Sequence, residues 1–144
     1  MIIAVSDLHL GDSLSNEKGF INFIKEFLKP NQKEISHFVL LGDILDFWGK
    51  NITSVIQDHS QIFDTLTSLD FRTHYLVGNH DFALSDPRIV FRNDISVGKD
   101  ISLTSSKTKL RFIHGHQLSY WYVLSFYEFF SHAMCFVTEE DETS

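Results

Sequence analysis

Four apolar segments of this chain each end in a turn that combines glycine with Asp, Asn or His. These turns are residues 7–11, 42–43, 78–81 and 114–116. In an open α/β sheet the carboxyl ends of parallel strands lie along one edge, and ligand sites form there. Glycine at such a point allows the backbone to turn tightly beside a ligand. The pattern therefore predicts one site assembled from four distant segments.

The spacing of apolar residues predicts an α/β fold in which strands and helices alternate. Apolar runs predict strands at residues 2–5, 37–41, 73–77, 95–97, 101–103 and 110–113. Helical spacing predicts helices over residues 20–28, 52–69 and 119–137. At 144 residues the chain has the size of a single domain, which we expect to cover residues 1–144.

Charge and cysteine content narrow the class of protein. The formal net charge is −7 and no stripe of Lys or Arg is present, which argues against binding to a nucleic-acid backbone. The single cysteine, Cys135, excludes an internal disulfide and fits a reducing compartment. We find no signal-peptide pattern and no run of ~18 apolar residues that could span a membrane. We therefore expect a cytoplasmic protein.

The polar side chains in the four turns are suitable ligands for divalent metal ions. Asp7 and His9 lie two residues apart, Asp43 adds a carboxylate, Asn79 an amide oxygen and His114 an imidazole. Each turn alone is common, but four in this order are hard to ascribe to turn chemistry. Such mixed ligands suit Mn²⁺, Fe²⁺ or Zn²⁺. Two ions bridged by a carboxylate at ~3.5–4 Å can promote in-line displacement at phosphorus.

In their order along the chain, the four motifs resemble those of calcineurin-like metallophosphoesterases, and the resemblance spans residues 2 to 118. It implies an αββα sandwich, of which this chain has strands for little more than one sheet. It also implies two divalent metal ions as cofactors, with Mn²⁺ preferred over Fe²⁺ and Zn²⁺. The expected activity is hydrolysis of a phosphate ester or phosphoanhydride by a hydroxide that the two ions generate.

The resemblance also assigns a role to each ligand. It implies that Asp7 and His9 hold the first ion, that Asp43 bridges both ions, and that Asn79 and His114 hold the second. We expect a phosphorylated small molecule or a nucleotide-linked compound as substrate. The alternative hypothesis is a non-catalytic binding module, or an inactive fragment, that retains the fold.

Two further residues match catalytic positions of the family. His80 corresponds to the histidine that stabilises the phosphate or protonates the leaving oxygen, and Asp46 to the carboxylate that orients it. Residues 42–48 and 78–82 are most similar to the UDP-2,3-diacylglucosamine hydrolase branch. Because the bacterial lipid enzymes typically carry Arg in place of His80, the lipid substrate is not carried over.

One family motif, a late Gly-His-x-His, is absent from the chain. We assign residues 114–116 to the earlier single-histidine motif, so that His116 is expected to be a turn residue. The helix over residues 119–137 is apolar on nearly every side and should be buried. Three explanations stay open, in order of preference. The chain is the N-terminal part of a longer enzyme, a second copy or another chain covers the helix, or the helix contacts a membrane surface without the usual basic face.

The remaining histidines and the arginines give no clear sign of a role. We interpret His37, His59 and His74 as structural residues. A phosphate clamp among the arginines is conceivable, but their spacing selects none of them. These arginines are Arg72, Arg88, Arg92 and Arg111.

Overall fold

A computed structural model describes residues 1–118 and 126–136, and it confirms the α/β fold. Four strands form a parallel sheet in the order β1 (Ile2–Val5), β2 (His37–Leu41), β3 (Arg72–Leu76) and β4 (Ser96–Gly98). Two further strands, β5 (Asp100–Ser105) and β6 (Thr108–Ile113), form an antiparallel hairpin. The predicted strands are thus confirmed to within a few residues.

The helices differ from the prediction in their boundaries. They are α1 (Glu17–Phe23), which continues as a π-helix over Ile24–Leu28, α2 (Ile52–Asp58), α3 (Ser60–Thr67) and α4 (Phe126–Phe136). Short 3₁₀ turns occupy Phe82–Ser85 and His116–Leu118. The prediction of one helix over 52–69 is wrong, because the helix is interrupted at His59. The ring Nδ1 of His59 lies 2.8 Å from the Val55 carbonyl oxygen.

The register of the sheet brings the strand ends together. Ile2 pairs with His37, and His37 pairs with Arg72, so β1, β2 and β3 run side by side in the same direction. Leu41 and Leu76 are paired at their carboxyl ends. The segments that follow these strands therefore leave the sheet at one edge, where the four turns were expected to meet.

The two faces of the sheet are covered by different elements. On one face, Phe38 and Tyr75 pack with Phe63 of α3 and with the apolar side of α1, and all of these are part of the main core. On the other face, Val39 and Leu76 pack against the hairpin. Burying a side chain of this size contributes about 1.5–3 kcal/mol. Because both faces of the sheet are covered, the packed core fixes the positions from which the loops at its carboxyl edge begin.

Helix α4 is packed on one side only in the part of the chain that the structure describes. Ser131 and Cys135 are buried, and the Met134 carbonyl accepts a hydrogen bond from the Gly49 N–H at 3.4 Å. Among the side chains of α4 whose burial the structure describes, three phenylalanines are exposed: Phe129, Phe130 and Phe136. Residues 119–125 and 137 of the predicted helix lie outside the described residues. That a second copy covers this helix stays a prediction. None of the described helices is both long enough and apolar enough to cross a membrane.

Candidate metal centre

The turns after β1 and β2 are joined by backbone hydrogen bonds. The Asp7 N–H donates to the Gly42 carbonyl at 3.1 Å, and the His9 N–H donates to the Asp43 carbonyl at 2.9 Å. Asp7, His9 and Asp43 all have positive φ angles, of 55°, 48° and 52°. Positive φ is uncommon for residues other than glycine and clusters at functional sites, where the surrounding structure maintains the strain.

Four of the five predicted ligands converge at this edge. Ligand atoms of Asp7, His9 and Asp43 all lie within 4.8 Å of one another. The Nε2 atom of His114, which follows β6, lies 3.5 Å from Asp7 Oδ1 and 3.6 Å from Asp43 Oδ2. The structure therefore brings together side chains that are up to 107 residues apart in the sequence, from Asp7 to His114.

The fifth predicted ligand, Asn79, lies in the turn after β3 and is partly buried. The next residue, His80, donates its backbone N–H to Asp43 Oδ1 at 2.8 Å. The Asn79 carbonyl accepts a hydrogen bond from the indole N–H of Trp48 at 3.0 Å. These two bonds fix the turn that carries Asn79 beside Asp43.

Two glycines, Gly42 and Gly78, lie so close to predicted ligands that a side chain at either position would overlap with them. A Cβ atom on Gly78 would collide with Asp43, whose backbone nitrogen would lie only 2.5 Å away. A Cβ atom on Gly42 would collide with the His114 ring, and Gly42 also has a φ of +79°. Since real Cβ contacts are longer than this, both positions require glycine if Asp43 and His114 are to keep their places.

His80 and Asp46 form the predicted pair. Asp46 Oδ1 lies 2.9 Å from His80 Nδ1, and the Asp46 side chain is 6% exposed. Burial lowers the pKa of the His80 imidazole, but the bond to Asp46 and the charge of Asp43 outweigh it, so that the pKa lies above its ordinary value. His9 contacts His80 edge-on, with 4.6 Å between ring centroids. The pair therefore adjoins the ligand cluster.

Two neighbours of this pair were not predicted from the sequence. The Trp48 indole stacks on the His80 ring with 3.9 Å between centroids and 13° between planes. The Lys50 ammonium donates to Asp46 Oδ2 at 2.5 Å. Burial raises the pKa of the Asp46 carboxyl, but the hydrogen bonds from His80 and Lys50 outweigh it and hold the pKa well below its ordinary value. Three residues of the segment 46–50 thus contact His80 directly or through Asp46: Asp46, Trp48 and Lys50.

Asp81 has a structural part that the sequence did not reveal. It is fully buried and accepts hydrogen bonds from the Tyr75 hydroxyl at 2.6 Å, the Gly78 N–H at 2.6 Å and the Ile44 N–H at 2.8 Å. Burial raises the pKa of the Asp81 carboxyl to about 6, although the Tyr75 hydroxyl and the backbone donors act in the opposite direction. Asp81 therefore ties the turn after β3 to the turn after β2.

His116 contacts the back of a predicted ligand. Its Nδ1 atom lies 3.0 Å from Nδ1 of His114, whose other nitrogen points to Asp7 and Asp43. Such a contact to the second ring nitrogen helps to fix the orientation of a ligating imidazole. The expectation that His116 is a turn residue and not a ligand stays a prediction.

The charges at this edge suit a divalent cation. Asp43 is only 4% exposed, and in residues 1–118 and 126–136 neither Asp43 nor Asp7 forms an ion pair with Lys or Arg. Buried carboxylates in proteins are usually paired with a cation or coordinate a metal. Carboxylate oxygens and imidazole nitrogens are the donors that Mn²⁺, Fe²⁺ and Zn²⁺ accept. The residues present therefore fit a metal centre.

The arginines take no part in it. In the described chain Arg88 pairs with Asp86, Arg92 with Asp64 and Asp94, and Arg111 with Asp100. Arg72 lies at the start of β3, at the opposite end of the strand from the ligands. The cation that lies closest to the His80–Asp46 pair in the described contacts is Lys50.

Comparison with family models matches residues 1–139 to the family described as calcineurin-like phosphoesterase. A search among curated proteins finds none that matches the chain. The family match covers every residue of the ligand cluster and of the His80–Asp46 pair.

Proposed function

The chain belongs to the calcineurin-like phosphoesterase family, and on that basis we propose that it hydrolyses a phosphate ester or phosphoanhydride with the help of two divalent metal ions. The observation that carries the proposal is the convergence of Asp7, His9, Asp43 and His114 next to His80. This convergence supports a centre of the kind that the family uses.

In this proposal Asp7 and His9 would hold the first ion, Asn79 and His114 would hold the second, and Asp43 would be a ligand shared by both. Mn²⁺ is the preferred metal because the donors are oxygen and imidazole nitrogen, without thiolate. When bound, the ions polarise the phosphoryl oxygens and lower the pKa of a water that can attack phosphorus. The distances of 3.5 and 3.6 Å from His114 Nε2 to Asp7 Oδ1 and Asp43 Oδ2 support a shared site for these ligands.

His80 supplies the proton in this proposal. Its Nδ1 is held by Asp46 at 2.9 Å, which leaves Nε2 to face the substrate. With Asp46 on Nδ1, the ring can carry a proton on Nε2 and donate it to the leaving oxygen. Asp46 keeps the ring oriented and stabilises its positive charge.

For the substrate we infer a phosphorylated small molecule or a nucleotide-linked phosphoanhydride. The likeness of residues 42–48 and 78–82 to UDP-2,3-diacylglucosamine hydrolases supports this class, and His80 in place of Arg argues against the lipid itself. The net charge of −7 argues against a nucleic acid.

The test combines metal analysis with hydrolysis. The purified chain is stripped of metal, dialysed against Mn²⁺, and assayed for bound metal and for turnover of p-nitrophenyl phosphate and bis-p-nitrophenyl phosphate. We expect two bound ions per chain and a loss of roughly 10²–10⁴-fold in kcat for His80→Ala. His37→Ala, at the start of β2, is the matched control and should retain the wild-type rate.

Two outcomes would refute the proposal. A chain that binds two ions but leaves both substrates intact, with His80→Ala indistinguishable, would point to a binding module. A chain that binds almost no metal after dialysis would point to an inactive scaffold.

A further inference from the structure

Trp48 contacts the His80 turn in three ways. Its indole ring lies flat on the imidazole, with 3.9 Å between centroids. Its indole N–H donates to the Asn79 carbonyl, one residue before His80, at 3.0 Å. Its backbone N–H donates to Asp46 Oδ1 at 3.2 Å, the same oxygen that lies 2.9 Å from His80 Nδ1. One residue therefore touches the ring, the backbone and the hydrogen-bonding partner of His80.

Lys50 bonds to the second oxygen of the Asp46 carboxylate, Oδ2. Its ammonium lies 2.5 Å from Asp46 Oδ2 and 3.9 Å from Asp12 Oδ2, in the turn after β1. The His80 Nδ1 and the Trp48 N–H both bond to the other oxygen, Oδ1. A partner on each oxygen restrains the rotation of the Asp46 carboxylate. Lys50 therefore helps to hold the group that orients the histidine.

The ring of His80 is contacted on one face, at Nδ1 and at its edge. Trp48 fixes the plane of the ring, Asp46 fixes its rotation within that plane, and His9 contacts its edge. The His80 carbonyl accepts hydrogen bonds from the Phe47 N–H at 3.1 Å and from the Cys135 thiol at 3.4 Å, which fixes the backbone. Reacting groups must be held close to their productive geometry for efficient catalysis.

We propose that Trp48 and Lys50 are positioning residues that set the plane and the hydrogen-bonded orientation of His80 for proton donation. The inference rests on the proposed function, since it assigns these residues a purpose in the same reaction. In the described contacts neither residue touches Asp7, His9 or Asp43, and the bond from Trp48 to Asn79 is to the backbone carbonyl. Removal of Lys50 should therefore change the rate of the chemical step and leave metal binding in place. Trp48→Phe, which also lacks the indole N–H, shows whether loss of the bond to Asn79 alone changes the amount of bound metal.

The experiment uses Trp48→Leu and Lys50→Met, each with a conservative partner, Trp48→Phe and Lys50→Arg. Lys25→Met, an exposed lysine near the end of α1, is the control for loss of a positive charge. Each variant is measured for bound Mn²⁺, for kcat and KM, and for the ring resonances of His80 in the metal-free protein. His80→Ala identifies those resonances among the eight histidines.

We expect kcat to fall by about 10- to 100-fold in Trp48→Leu and in Lys50→Met, with KM and metal content unchanged, as is typical when a supporting partner is removed. Trp48→Phe and Lys50→Arg should recover most of the loss, since they keep the ring face and the charge. In Trp48→Leu the His80 ring protons should shift downfield because the indole ring current is lost. In Lys50→Met the His80 Nδ1 proton should exchange faster with solvent.

The outcomes separate this inference from the proposed function. Wild-type protein that binds two ions but shows no turnover would refute the function, and the His80 resonances would still decide the positioning. Unchanged resonances in both variants would overturn the inference. So would full kcat in both variants, or a loss of kcat that follows loss of metal.

Discussion

Replacing Gly78 by alanine would place a methyl group where the Asp43 carboxylate lies. The new Cβ atom would collide with the Asp43 side chain and lie 2.5 Å from its backbone nitrogen. Overpacking of this kind costs about 1–3 kcal/mol. A shift of Asp43 would also break its bond from the His80 N–H. A hydrogen bond to a charged group is worth about 1.5–3 kcal/mol. We therefore expect the free energy of unfolding to fall by about 2.5–6 kcal/mol.

The assay is urea unfolding of the metal-free protein, followed by Mn²⁺ titration of the folded fraction. Gly98→Ala is a matched control, because a Cβ atom there meets only the Asp100 carbonyl oxygen, at an ordinary 3.5 Å. At an unstrained position this substitution should stabilise the protein by about 0.4–1 kcal/mol or leave it unchanged. If Gly78→Ala were as stable as Gly98→Ala and bound Mn²⁺ equally well, our reading of the contact between Gly78 and Asp43 would be wrong.

Three further predictions concern the same edge of the sheet. Asp81→Asn should lower the free energy of unfolding by about 1–3 kcal/mol, since the amide leaves at least one buried N–H without an acceptor. Tyr75→Phe should lower the free energy of unfolding less in the same urea assay, because Asp81 keeps its backbone donors. The pKa of His80 is higher in the folded, metal-free protein than in the unfolded chain, where it is about 6.5. The bond to Asp46 therefore contributes its full stability below a pH of about 6.5, and this contribution falls as pH rises through the pKa of the folded state. The stability advantage of wild type over Asp46→Asn should accordingly shrink above that pH, and an advantage that grew would contradict the assignment. Mn²⁺ at about 100 times its Kd should add about 2.7 kcal/mol to the free energy of unfolding, seen as a higher Tm that EDTA reverses; an unchanged Tm would argue against a metal site.

The sequence was sufficient for the sheet because its strands are short apolar runs that end at glycine turns. β1 and β2 have the predicted bounds, and β3 begins one residue earlier than expected. The helix over 52–69 was predicted as one because its apolar positions continue across the break at His59. At the break the His59 ring lies against the Val55 carbonyl, a contact that apolar spacing does not encode.

The first helix shows a local signal that apolar spacing passes over. It begins at Glu17, ahead of the predicted start at residue 20, because the Asn16 side chain accepts a hydrogen bond from the Gly19 N–H. Asn is among the preferred residues at a helix N-terminus. Attention to capping residues would have moved the predicted start towards Asn16.

In the candidate site, four of the five ligands that the motifs named come together, and His80 contacts Asp46 as expected. The partners that hold them in place were harder to find. Trp48 and Lys50 lie within four residues of Asp46, yet their contacts with it and with His80 depend on the turn at residues 47–50. Asp81 was part of a motif, but its four donors come from three different segments, and only the folded chain brings these together.

The left-handed backbone at Asp7, His9 and Asp43 has an evolutionary consequence. Glycine would adopt these φ angles without the steric cost of a Cβ atom, which is roughly 1–3 kcal/mol for a strained residue. A lineage that no longer needed the ligands would thus gain stability by drifting towards glycine at these three positions. Glycine at all three positions in a relative would therefore be the expected mark of a chain that has lost these side chains.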